Sequence, residues 1–110
     1  MTSLIERLEA AQAGSRDLSD EVLRTLGHDI DKYGWWKPPD SNHYSSEARP
    51  CPTTNLQHAV DLVPEGYHWK EILVLAIELL NQWHPYPKPQ TLDMFRRAIC
   101  AVILRAKEAN

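Results

Sequence analysis

All eight prolines of this 110-residue chain fall between positions 38 and 89, and each limits the helix or strand beside it. A proline inside a helix removes a backbone hydrogen bond and clashes with the preceding turn. The chain is therefore cut at Pro38 and Pro39, at Pro50 and Pro52, at Pro64, and across Pro85, Pro87 and Pro89. Ahead of the first cut, Leu4, Ile5, Leu8 and Ala11 recur at helical spacing, which predicts an amphipathic helix starting near Thr2 or Ser3 and ended by Gly14. A second helix follows, with Asp17 or Ser19 as N-cap, an apolar set of Leu18, Val22, Leu23 and Leu26, and Gly27 just past its end. Together they read as a helical hairpin.

From His28 to Pro52 the periodicity dissolves into a long loop, which nonetheless holds Tyr33, Trp35, Trp36 and Tyr44, four of the nine aromatic residues. Two adjacent tryptophans are out of place in a solvated linker, so part of this loop is expected to pack on the core. Thr53 and Thr54 are candidate caps for a third helix carrying Leu56, Ala59, Val60 and Val63 up to a turn at Pro64-Glu65-Gly66. Tyr67 to Trp83 has no turn residue, and Trp69, Ile72, Leu73, Ala76, Ile77 and Leu80 fit one helix face. Val74, Leu75 and Leu79 lie off that face. Such a helix is either buried centrally or carries a second, exposed apolar strip suited to a homodimer contact. His84 to Pro89 should run extended, and Thr91 caps a last helix with Leu92, Phe95, Ala98, Ile99, Val102, Ile103 and Ala106 on one stripe. The expected fold is mainly α: one domain over residues 1–110, a bundle of about five helices with a Trp/Pro-rich loop over about 28–52, an α+β arrangement being the alternative.

Charge narrows the function classes. Twelve Lys and Arg against 15 Asp and Glu leave a net −3, the wrong sign for a module built to hold a phosphate backbone. The N-terminal residues show no basic run followed by an apolar one, and the longest apolar run, Ile72 to Ile77, is far short of the roughly 20 residues that span a bilayer. A cytoplasmic protein with no membrane partner is expected. Cys51 and Cys100 have no C-x-x-C spacing, and His28, His43, His58, His68 and His84 form no close ligand pair with them or with each other, so no metal is expected. There is no G-x-S-x-G, no H-E-x-x-H and no Gly-rich phosphate loop; neither catalysis nor a cofactor is expected.

Two surfaces remain as candidates. Tyr33, Trp35 and Trp36 are of the residue types that dominate protein-binding hot spots, and Asp17, Asp20, Glu21, Asp29 and Asp31 form the densest acidic stretch. An acidic surface can occupy a site meant for phosphates. The alternative is a basic face on the last helix, with Arg96 and Arg97 pointing away from the Phe95/Ile99 stripe and Arg105 and Lys107 near the end.

The run Arg49-Pro50-Cys51-Pro52-Thr53-Thr54-Asn55-Leu56-Gln57-His58-Ala59-Val60-Asp61-Leu62-Val63-Pro64-Glu65-Gly66-Tyr67-His68-Trp69 resembles a family of small uncharacterised phage and prophage proteins of proteobacteria. Val63-Pro64-Glu65-Gly66 is its most specific block; Ser3 to Ala11, Ser15 to Leu18 and the closing helix add weaker likeness. The resemblance implies an α/β sandwich-like alternative for the fold. It also implies a small non-catalytic protein encoded by a mobile element; taken with the acidic charge, the absence of catalytic spacing and the Trp-rich loop, the expectation is an accessory protein acting in a bacterial host cell by binding a host or phage protein, for example a defence complex such as a CRISPR effector. A small nucleic-acid-associated regulator using Arg96, Arg97, Arg105 and Lys107 is the alternative function.

Overall fold

Ser3 opens the first helix, its hydroxyl accepting the Glu6 N–H at 3.1 Å, and α1 runs over Leu4–Ala10. The computed structural model of the chain describes residues 3–45, 49–85 and 89–108. Thr2, the other expected starting position, lies outside them, as do Tyr86, Pro87 and Lys88 of the expected extended segment. Helix α1 stops short of Gly14. Its last carbonyls are taken by a guanidinium from the far end of the chain: Arg97 Nη1 donates to the Leu8 carbonyl at 2.7 Å.

Helix α2 (Arg16–Thr25) is capped by Ser15, whose hydroxyl accepts the Leu18 N–H, and not by Asp17 or Ser19. Asp17 sits in the first turn, where the helix dipole favours an anion, and Ser19 is buried. The helix closes as its pattern predicts. Gly27, at φ 95°, donates to the Arg24 carbonyl and His28 to the Leu23 carbonyl, both at 3.0 Å, satisfying two end carbonyls in a Schellman arrangement.

The segment expected as a loop begins with a small hairpin. Strands β1 (Asp29–Ile30) and β2 (Trp36–Lys37) pair antiparallel, Asp29 opposite Lys37 and Ile30 opposite Trp36, and Trp36 bridges to Ser45. Two-residue strands are too short to leave an alternating pattern in the sequence. Helix α3 (Leu56–Val60) is capped by Asn55, not by Thr53 or Thr54, and is followed by the expected turn, in which Tyr67 donates to the Pro64 carbonyl around Gly66 at φ 94°.

Tyr67 to Trp83 is helical as the spacing predicts: α4 covers Trp69–Trp83, and the His68 ring Nδ1 accepts the Lys70 N–H at its start. Thr91 starts α5 (Leu92–Glu108) by accepting the Met94 N–H. Of the described residues, 54% are helical, in five helices, with one two-stranded sheet; the fold is mainly α.

The centre is α5 rather than α4. Residues 97 to 104 of α5 are all buried, with α1, α2, α3 and α4 all in contact with this helix. Ala98, Cys100, Ala101 and Ala106 are small enough to let backbones approach from several sides. Helix α4 buries only Ile72, Ala76, Leu79 and Leu80, and leaves Trp69, Val74, Leu75 and Ile77 exposed. Of the two expectations for this helix, the exposed apolar strip is the one found.

Candidate binding surface

The hairpin loop is built to hold aromatic side chains outward. Asp31 is followed by Gly34, which at φ 85° takes a conformation costly for any residue with a Cβ. The Asp31 carboxylate accepts the N–H groups of Tyr33 and Trp35, both at 2.9 Å, and its carbonyl accepts the Gly34 N–H. From outside the loop, Arg49 Nη1 donates to the Gly34 carbonyl at 3.0 Å, while its Nε and Nη2 fork onto Asp20 at 2.8 and 3.0 Å. Hydrogen bonding to Asp20 pushes the Arg49 guanidinium further above its ordinary range. A chain of partners therefore runs from α2 through Asp20 and Arg49 to the tip. Tyr33 is 75% exposed and Trp35 48%.

Trp36 differs from its neighbour. Its indole N–H donates to His28 Nδ1 at 2.9 Å, and the two rings stack with centroids 5.7 Å apart. The expected three-residue aromatic contact thus reduces to Tyr33 and Trp35, with Trp36 supporting them. His28 sits at the edge of a cavity of about 530 Å³ that also meets Pro39, Asp40, Asp61, Glu65 and Lys107. Burial and, secondarily, the Lys107 ammonium lower its pKa below 6.5, against a weaker opposing pull from Asp40. A base depressed in the folded state binds fewer protons there than in the unfolded chain, so its contribution is complete above pH 6.5 and is lost as pH falls through the folded value. Denaturant midpoints are therefore expected to fall as pH drops below 6.5, and His28→Gln to flatten that part of the profile. Parallel profiles for the two proteins would exclude His28 as the source.

The acidic stretch is largely engaged. Asp20 holds Arg49, Asp31 holds the tip, Asp29 accepts from the Tyr44 hydroxyl, and Glu21 pairs with Arg7; Asp17 is exposed in the first turn of α2. The hydrogen bond to Asp29 raises the Tyr44 pKa.

The four cations of the last helix do not share a face. Arg97 is 2% exposed, contrary to the expected outward orientation, because α1 and the chain around Gly14 pack over it; its Nε donates to Asp93 at 3.0 Å. Arg96 is only partly exposed and lies 3.9 Å from Asp93, and Lys107 donates to the Thr25 carbonyl at 3.0 Å. Arg105 is exposed.

Cys51 belongs to a hydroxyl network that the spacing of residues gave no hint of. Thr53 Oγ1 accepts the Ser15 N–H and donates to the Ser15 carbonyl, at 3.0 and 2.9 Å, so the hydrogen in its 2.7 Å contact with Ser19 Oγ comes from Ser19. Cys51 Sγ, 3.3 Å from Ser19 Oγ, is then the donor of that contact. Cys100 is buried, which pushes its thiol up to about 12 with a smaller contribution from Cys51. His58 Nδ1 accepts the Cys51 N–H at 2.9 Å, as His28 and His68 accept from Trp36 and Lys70. Among the described residues no group of three or more His, Cys, Asp or Glu is placed to hold a metal, and no helix is long and apolar enough to cross a membrane. Comparison with known proteins finds no matching family model, no similar curated protein and no similar solved structure.

Proposed function

We propose that this chain is a small non-catalytic accessory protein that acts by binding another protein, with the Tyr33/Trp35 tip as its contact element. The observation that carries the reading is the rigid presentation of that tip. Two large aromatic side chains stand in solvent on a backbone anchored by Asp31 and, through Arg49, by Asp20. An exposed aromatic on a backbone that is already fixed gives up less entropy on binding than one on a free loop, which favours such residues as anchors. The resemblance of the Val63-Pro64-Glu65-Gly66 region to phage and prophage proteins supports an origin in a mobile element of a bacterium and action in the host cytoplasm. A host defence complex, such as a CRISPR effector, is the partner class proposed.

The test uses tagged protein and bacterial host lysate, with partners identified by mass spectrometry and their affinities then measured on purified material. Tyr33→Ser with Trp35→Ser is expected to weaken the specific complex about thirtyfold or more while the melting temperature stays near that of the parent. A complex indifferent to that double substitution would remove the tip from the proposal. The nucleic-acid alternative draws little support from a helix whose Arg97 and Lys107 are bonded to the protein's own carbonyls.

A further inference from the structure

The exposed side of α4 carries a pattern that is complementary to itself when reversed. Lys70, Val74 and Glu78 are spaced i, i+4, i+8, so they form one ridge on the helix surface. A cation stands at one end, an anion at the other and a 54%-exposed valine at the midpoint. The charged ends are about 12 Å apart along the helix, too far to meet within one chain. Among the described residues neither has an ion-pair partner; the Lys70 ammonium lies over the Trp69 ring, 5.6 Å from its centroid. Apolar residues flank the ridge on both sides, with Leu73 and the 49%-exposed Ile77 on the side toward α3 and Leu75 on the other. Two shallow depressions lie here, one of about 400 Å³ lined by Lys70, Glu71, Val74 and Leu75, the other of about 500 Å³ between Leu56, Gln57, Val60, Trp69 and Leu73.

We infer that this face binds a second copy of the chain, in a two-fold dimer whose α4 helices cross antiparallel at Val74. Ridges of the i±4n type from two helices pack at a crossing angle of about −50°, the commonest class in globular proteins, and that crossing brings the two ridges into line. In the antiparallel sense, Lys70 of each copy meets Glu78 of the other, and the helix dipoles oppose. In the parallel sense, Lys70 would meet Lys70 and Glu78 would meet Glu78. The charges therefore choose the antiparallel arrangement, and the apolar middle supplies the buried area. This interface uses neither Tyr33 nor Trp35, so a dimer and a partner bound at the hairpin tip are compatible.

Sedimentation velocity over a concentration series tests it. The parent is expected to approach twice the 12.6 kDa chain mass as concentration rises. Val74→Glu, at an exposed position, is expected to weaken the dimer about thirtyfold or more. Lys70→Glu and Glu78→Lys alone should each weaken it about three- to tenfold, since each sets like charges face to face twice, and the double exchange should restore it. A parent that stays monomeric throughout, or a dimer indifferent to Val74→Glu, overturns the inference. A dimer lost on Val74→Glu but not rescued by the double exchange overturns the antiparallel register.

Discussion

Replacing Arg97 with methionine is expected to cost about 3–5 kcal/mol of folding stability, the range typical of breaking a buried ion pair from one side. Methionine fills much of the volume of the arginine stem, so the loss isolates the guanidinium. Without it the Leu8 carbonyl, at the end of α1, and one Asp93 oxygen lose partners now at 2.7 and 3.0 Å. Asp93 would still accept the Gly14 N–H at 2.8 Å and keep Arg96 at 3.9 Å, but would lose the nearer of its two cations. Asp93→Asn added to Arg97→Met should therefore recover part of the loss. Arg96→Met is the control, expected to stay within about 1 kcal/mol, because the Arg96 Nε has no hydrogen-bond partner and its ion pair with Asp93, at 3.9 Å, is beyond hydrogen-bond distance. Denaturant midpoints with unchanged slopes are the measurement. Equal midpoints for Arg97→Met and the parent would show that α1 does not depend on α5 for its end carbonyls.

Thr53→Val is expected to cost about 3 kcal/mol although it barely changes volume. The hydroxyl of Thr53 serves three groups at once: the Ser15 N–H, the Ser15 carbonyl and the Ser19 hydroxyl. Valine takes their shared acceptor from the Ser15 N–H and the Ser19 hydroxyl hydrogen, while the Ser15 carbonyl keeps the Ser19 N–H, and the loss of a matched partner costs more than the bond itself contributes. Thr53→Ser keeps the hydroxyl and removes one methyl, so about 1 kcal/mol is expected. A valine variant as stable as the serine one would mean water reaches this network. The same site explains Gly14, where an added Cβ would stand 2.0 Å from the Thr53 carbonyl oxygen. Close approach of two backbones, rather than a helix end, is what requires glycine there.

Those two sites also explain which expectations failed. Ser19 and Thr53 are ordinary N-cap residues by type, and the sequence offers them as such. In the fold their hydroxyls are bonded to each other across 34 positions, and Ser15 and Asn55 cap instead. Arg97 lies off the Phe95/Ile99 stripe, which in an isolated amphipathic helix means solvent. Here α5 is surrounded, and the side opposite the stripe faces α1. Trp35 and Trp36 are indistinguishable in one dimension. Only the position of His28 separates the anchored ring from the presented one.

The sequence alone determined the helices and their breaks, because 3.6-residue spacing, proline and a C-terminal glycine such as Gly27 act within a few residues of chain. It carried only part of the exposed strip of α4: Val74 and Leu75 lie off the expected face and are exposed, but Leu79, also off it, is buried, and Trp69 and Ile77, expected on the buried face, are exposed. The tertiary structure decided which helix is central, which charges are spent inside the protein and which aromatic reaches solvent. Those outcomes rest on contacts between residues such as Leu8 and Arg97, 89 positions apart, and no local pattern encodes what a distant segment will bring.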